Sequence, residues 1–344
     1  MPVHANSNHS AYERQEGTEL SRVEMPSLKA VPVGNWVSIG LVNNMPEAAF
    51  KATERQFISL LEAASPDINI RLHLYLFPEI PRTEVTARYV RLYSSTETLL
   101  DTQLDGLIVT GREPMTADLR DECYWQSFTK VLEWARDNTH SAVWSCLAAH
   151  AAILHMDGIG RRKSEHKHFG VFECTRASEH PLTGGAPSRF HVPHSRWNGL
   201  AEEDLAACGY TVLARTPDAG IDTFVKQENS LFVFFQGHPE YESDTLLREY
   251  RRDVERYFRN ESKTYPSVPL SYFDAATEAT LNHLRTIALT GRSNGAMAQV
   301  ASVLTDRTVE NTWHPSATNF YKNWLEYLSA RKHAAQCHTQ EVLA

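Results

Sequence analysis

The feature that most limits the fold is an alternation of short apolar runs with segments of helical periodicity. "WVSIGLV" (36–42) reads as a buried strand closed by the turn-forming "NNMP". In "KATERQFISLLEAA", which follows, Phe57, Leu60, Leu61 and Ala64 recur at the spacing that gives a helix one apolar face. "NIRLHLYLF" (69–77) is a second strand. "DGLIVT" (105–110) is a third, short and apolar enough to be covered on both faces. Residues 118–137 are predicted helical, with Trp125, Phe128, Leu132 and Ala135 on one side. "SAVWS" (141–145) is a fourth strand and runs directly into the helical "CLAAHAAILHM". Such a succession requires right-handed crossovers and an α/β fold with a mostly parallel sheet flanked by helices. "FHV", "YTVLAR", "TFVKQ" and "SLFVFFQ" add strands between 190 and 236, and a long charged helix, "TLLREYRRDVERYFRN", follows Asp244.

Around this frame, residues 1–34 read as a loosely held polar arm, 35–332 as one domain, and 333–344 as a polar tail. An apolar content of 42% is ample for a core of that size. The net charge of −8, with no basic block, argues against a nucleic-acid surface. No run approaches bilayer length and no apolar leader opens the chain, so a cytoplasmic protein without membrane contact is expected. The 5 cysteines are odd in number and form no Cys-x-x-Cys pair, which fits a reducing compartment better than a disulfide framework.

In parallel α/β sheets, reacting groups gather where strands end and loops enter helices. Cys146 stands at such a junction, where a sharp turn exposes a nucleophile and a helix N-terminus offers amides and partial positive charge. "FFQGHPEY" (234–241) ends another apolar run with His238 and Glu240 on one turn, stiffened by the proline between them. A thiol nucleophile needs a base, and an imidazole base needs a partner that fixes its tautomer. One nucleophile at one strand end and a base with its orienter at another is what acyl transfer requires. "HKH" (166–168) and "HVPH" (191–194) raise zinc as an alternative, but neither has a neighbouring ligand at zinc-site spacing, and no metal is expected.

Beyond these residues, the sequence resembles the homoserine O-acyltransferases of the O-succinyltransferase type. The likeness rests on "LVNNMP", "TERQFISLL", "DGLIVTG", "YWQSFTKVLEWA", "VPHSR", "GHPEY", "EYRRDVE" and "TNFYKNWLEY" in family order. It covers about Val37 to Arg259 and then Trp313 to Leu325. The resemblance implies a class I glutamine amidotransferase-like (flavodoxin-like) three-layer sandwich. It also implies a two-step transfer, with acyl-CoA (succinyl-CoA or acetyl-CoA) as co-substrate and no bound cofactor. Cys146 then accepts the acyl group, His238 is the base and Glu240 its orienter, while Lys167, Ser195 and Arg252 contact the amino-acid substrate. Oxyanion donors are expected from the amide of Leu147 and one near Gly111.

The chain also departs from the family pattern. "CLAAH" stands where the family reads Cys-Trp-Ala-x-Gln, so Leu147 and His150 differ beside the nucleophile. "REPM" follows "VTG", and Met115 takes the place where glycine accompanies succinyl and glutamate acetyl transfer. Arg112 offers a partner for the free carboxylate of a succinyl chain. Residues 275–310 have no counterpart; they look helical and are expected to cover the site or form a homodimer contact. The acceptor is homoserine or another hydroxy amino acid such as serine. Rival readings are a glutamine-hydrolysing amidotransferase and a non-catalytic relative, although "WSCLA" lacks the glycines usual beside an amidotransferase cysteine.

Overall fold

The apolar runs become strands because each is too short for a stable helix and is flanked by turn residues. The computed structural model describes residues 3–5, 36–83, 92–291, 294–305, 307 and 309–343. The protein has a mostly parallel mixed sheet flanked by helices. Where the sequence reads as one domain over 35–332, the chain clusters into two compact units. The first comprises Met1–Ala148, Gln227–Phe232 and Lys322–Ala344; the second comprises Ala149–Lys226 and Val233–Tyr321. Of the expected N-terminal arm, only residues 3–5 lie within the described residues.

In the first unit, β1 (Val3–Ala5), β2 (Trp36–Val42), β3 (Asn69–Leu76), β5 (Gly106–Val109) and β6 (Ser141–Ser145) pair in the order β1-β3-β2-β5-β6. Every one of these pairings is parallel, and the short β4 (Ser94–Ser95) lies beside β3. Leu41 faces Leu74 on one side and Ile108 on the other. All of β5 and β6 is buried, as strands covered on both faces must be. Helix α1 (Glu47–Ala64) buries Phe50, Phe57, Leu60, Leu61 and Ala64, the face its periodicity marks. A short turn of helix, α2 (Thr96–Leu99), precedes β5.

Helix α3 (Trp125–Asn138) starts later than its apolar spacing suggests. Asp118 caps a separate 3₁₀ turn by accepting the amide of Arg120, and this interrupts the helix expected from 118. At the far edge of this unit, Trp324 is fully buried and donates its indole N–H to Ser141 Oγ at 2.9 Å.

The chain enters the second unit within α4 (Leu147–Asp157). There β7 (Arg162–Arg176), β8 (Arg189–Gly199), β9 (Thr211–Thr216) and β10 (Gly220–Gln227) pair antiparallel in the order β10-β9-β7-β8. The small helix α5 (Glu202–Ala207) links β8 to β9. Strand β11 (Leu231–Phe235) leads to the turn that carries His238. Helix α6 (Thr245–Phe258) then packs with α7 (Ala275–Thr290) and α8 (Asn294–Leu304) around Tyr250, Leu281 and Trp313. The described residues of 275–310 are thus largely helical, as their composition suggests. Helix α9 (His314–Leu343) continues through the polar C-terminal stretch. No helix among the described residues is long and apolar enough to cross a membrane.

Candidate active site

Cys146 is the single residue between β6 and α4, and its φ of 51° is left-handed. A side chain in that region costs about 1–3 kcal/mol and persists only where the surroundings impose it. Here the buried strand and the buried first turn of α4 fix the chain on both sides, leaving the half-buried thiol at a sharp elbow. The first amides of a helix have no partner within it and carry partial positive charge. At Gly111 a Cβ would lie 2.5 Å from the amide nitrogen of Leu147 and 2.8 Å from that of Ala148. Only glycine permits this approach. The backbone at Gly111 therefore packs directly against the first amides of α4, beside the Cys146 elbow.

The His238 turn is held through its backbone amides. Gly237 donates to Asp222 Oδ1 at 3.1 Å, Gln236 to the Asp222 carbonyl at 2.9 Å, and His238 to the Pro193 carbonyl at 2.8 Å. A Cβ at Gly237 would fall 2.5 Å from Val192 and 2.6 Å from Asp222, so this position too requires glycine. His238 Nδ1 lies 2.9 Å from Glu240 Oε1. An ionised carboxylate only accepts, so Nδ1 carries the hydrogen and Nε2 keeps the lone pair that a base uses. Both side chains are buried, and the Tyr241 ring stacks on the imidazole at 4.2 Å. Burial, and then the Glu240 carboxylate, drive the Tyr321 phenol well above its ordinary pKa.

A second polar group adjoins this pair. Glu249 accepts from Ser195 Oγ at 2.5 Å and from the Tyr241 hydroxyl at 2.6 Å, linking a predicted substrate-binding residue to the ring beneath His238. Lys167 lies over the Phe169 ring at 4.1 Å and donates to Asp253 Oδ2 at 3.1 Å. Arg252 donates to Asp253 Oδ1 at 2.9 Å. The second unit therefore brings together His238, Glu240, Lys167, Ser195 and Arg252. Cys146, Leu147, Gly111, Arg112 and Met115 lie in the first.

Burial alone would raise the Asp253 carboxyl, but Lys167 and then Arg252 outweigh it and hold it below the usual value. A depressed carboxylate stabilises the fold above its unfolded pKa of about 3.9 and loses that contribution as pH falls through the lower folded value. Urea denaturation of wild type and Asp253→Asn should therefore differ by a constant amount above about pH 5. The gap should narrow progressively below about pH 4. A gap that stayed constant down to strong acid would show that Asp253 is not held in this way.

Other predicted positions have different settings. Met115 is 76% exposed, and its amide donates to Glu122 Oε1 at 2.6 Å. Thr116 donates to the same buried oxygen through its amide and hydroxyl. His150 is buried, and desolvation followed by Arg196 brings its pKa down to about 3, so it is a neutral core imidazole. Cys174, His194 and Asp222 lie close enough to suggest a metal, with candidate atoms within 4.8 Å of one another. Yet Arg196 Nε donates to His194 Nδ1 at 3.2 Å, which puts the imidazole hydrogen on Nε2, 3.3 Å from Asp222 Oδ1. The Arg196 guanidinium thus occupies one imidazole nitrogen and leaves the other beside the Asp222 carboxylate, and no metal is assigned there.

Residues 33–335 match the family described as homoserine O-succinyltransferase. A homoserine O-succinyltransferase of Rhodopseudomonas palustris is 43% identical over 295 residues, covering 86% of this chain and 89% of that one. One from Methylorubrum extorquens is 38% identical over 327 residues, covering 92% and 97%. The chain belongs to the homoserine O-succinyltransferase family. It is an acyltransferase. Among solved structures, a glutamine amido transferase from Methylobacillus flagellatus aligns with a TM-score of 0.47 at 13% identity, covering 86% of this chain and 95% of that one.

Several residues of this acyltransferase escaped the sequence reading. Glu249 and Asp253 sit in a run of charges that reads as a solvated helix face. The spacing of Arg252 and Asp253 from Glu249 is the available signal, because residues three and four apart share one side of a helix. Asp222, buried in β10 and bonded to the amides of Gln236 and Gly237, gives no signal in a strand that also carries Thr223, Lys226 and Gln227.

Proposed function

We propose that this acyltransferase moves a succinyl group from CoA to the hydroxyl of homoserine, through a thioester on Cys146. In the first step the Cys146 sulfur bonds to the acyl carbon, the bond to the CoA sulfur breaks, and CoA leaves as its thiol. In the second, His238 Nε2 takes the hydroxyl proton of the acceptor as its oxygen bonds to the acyl carbon, and the Cys146 thiol is restored. Glu240 holds the imidazole tautomer and balances the charge it gains. The amides of Leu147 and Gly111 serve as the oxyanion donors in this reading. Lys167, Ser195 and Arg252 orient the amino acid, with guanidinium and ammonium groups suited to its carboxylate. The product, an activated ester of a hydroxy amino acid, suits a cytoplasmic route to sulfur amino acids such as methionine.

The observation that carries this reading is the left-handed Cys146 elbow against Gly111 in a chain that matches the family across nearly its whole length. The test is a matrix of succinyl-, acetyl- and butyryl-CoA against homoserine and serine, scored by CoA release and product mass. Succinyl-CoA with homoserine is expected to give the highest kcat/KM. Preference for serine would replace the acceptor. Absence of CoA release from every donor, or ammonia release from glutamine instead, would overturn the reading.

A further inference from the structure

Two turns at the carboxyl ends of the parallel strands in the first unit are tied to each other. The Asn44 amide donates to Thr110 Oγ1 at 2.8 Å, and the Thr110 amide to the Val42 carbonyl at 3.0 Å. Each turn is associated with an arginine. Arg82 packs its guanidinium over the Phe50 ring at 4.3 Å and donates to the carbonyls of Met45 and Asn43 at 3.2 and 3.5 Å. Arg112 follows Gly111 directly, so its side chain starts one residue, about 3.8 Å, from the glycine that abuts the Leu147 amide. The Nε atoms of both arginines are sealed from solvent and have no hydrogen-bond acceptor among the described residues. The Glu47 carboxylate, whose charge also acts on Arg82, accepts from the amide and hydroxyl of Thr83.

Two guanidinium groups brought to neighbouring turns, each with an unmet donor, are suited to sharing one anion. Burial, and next the Arg112 guanidinium, push Arg82 below its ordinary pKa, as expected for two cations at close range. Arg112 also pulls down the neighbouring Tyr124 phenol, which burial and then Glu122 raise to about 12. Met115 contributes nothing comparable, since its side chain is in solvent.

Resting on the acyl-transfer reading above, we propose that Arg82 and Arg112 together receive the free carboxylate of a dicarboxylic acyl chain carried on Cys146, and so select succinyl over uncharged acyl groups. A succinyl chain places that carboxylate two methylenes beyond the thioester carbonyl, within reach of a long side chain rooted beside the oxyanion donors. Phosphate groups of CoA share the same chemistry, and the test separates the two sources.

Arg112→Gln, Arg112→Lys and wild type are compared with succinyl-CoA, with butyryl-CoA (the same length without the charge), and with the succinyl thioester of N-acetylcysteamine, which has no phosphate. Arg112→Gln should lower the ratio of kcat/KM for succinyl-CoA to that for butyryl-CoA by about tenfold or more, the worth of one charge-assisted hydrogen bond. The phosphate-free succinyl ester should lose rate by the same factor, and Arg112→Lys should recover part of the ratio. Arg82→Gln is expected to act in the same direction, with circular dichroism reporting that the turn after β2 is intact. Equal losses for both CoA esters with none for the phosphate-free ester would assign the arginines to phosphate and overturn the proposal. An unchanged succinyl-to-butyryl ratio would overturn it as well. A wild type that transfers no acyl group at all would instead be a failure of the acyl-transfer reading, which is read separately.

Discussion

Replacing Cys146 with alanine is expected to lower kcat by about ten-thousandfold or more while leaving the circular dichroism spectrum unchanged. In the proposed mechanism, loss of the covalent nucleophile removes the whole two-step path, and what survives is the residual help of the oxyanion donors and substrate binding. The fold should tolerate the change, because alanine fills less space than cysteine and the elbow is held by β6 on one side and α4 on the other. Alanine pays the same left-handed penalty at φ 51° as cysteine does, so the backbone cost is common to both proteins. Intact-protein mass spectrometry supplies the second readout. Wild type mixed with succinyl-CoA and no acceptor should gain one succinyl group at Cys146, and Cys146→Ala should gain none. Retention of more than about one hundredth of wild-type kcat would mean that another residue, or direct transfer, carries the reaction.

The elbow also marks where the sequence was readable and where it was not. "SAVWS" running straight into an alanine-rich helix placed Cys146 at a strand-to-helix junction, and the strand is found over those same residues. The left-handed geometry itself was invisible, because glycine or asparagine usually announces it and here a cysteine adopts it. The parallel strands were legible because burial on both faces demands a continuous apolar run. By contrast β7, the longest strand, was missed. Its first half, "RKSEHKH", is polar and largely exposed, and its ladder with β8 shifts between Lys163 and His168, so neither hydrophobicity nor strict alternation reports it.

On α6 the ambiguity was one of direction. Glu249 takes Ser195 and Tyr241 as partners and Asp253 takes Lys167 and Arg252, while Arg251 pairs with Glu255. Residues on either side of a charged helix look alike in sequence; only the partners brought up by β7 and β8 distinguish them. The two arginines of the first unit were hidden for a related reason. Arg82 and Arg112 are far apart in the chain, and hydrogen bonds between two turns bring them to one place.

Glu240→Gln should cost about a thousandfold in kcat with a much smaller change in KM, because the side chain acts on His238 and not on the substrate. The wild-type carboxylate can only accept, which keeps the hydrogen on Nδ1 and the lone pair on Nε2. A glutamine amide that turns its NH₂ toward Nδ1 reverses this tautomer, and one that turns its oxygen still lacks the charge that steadies the imidazolium. Its second oxygen, Oε2, is buried with no hydrogen-bond partner among the described residues, so the substitution breaks no other bond and leaves packing nearly unchanged. That separates a positioning role from a structural one: the midpoint of urea denaturation should stay close to wild type while kcat collapses. Glu240→Asp, which keeps the charge but shortens the reach, should recover part of the rate. If Glu240→Gln kept half of the wild-type kcat, or if its activity fell only in step with its stability, the 2.9 Å contact to His238 would be a packing detail and the base would have to be oriented by another group.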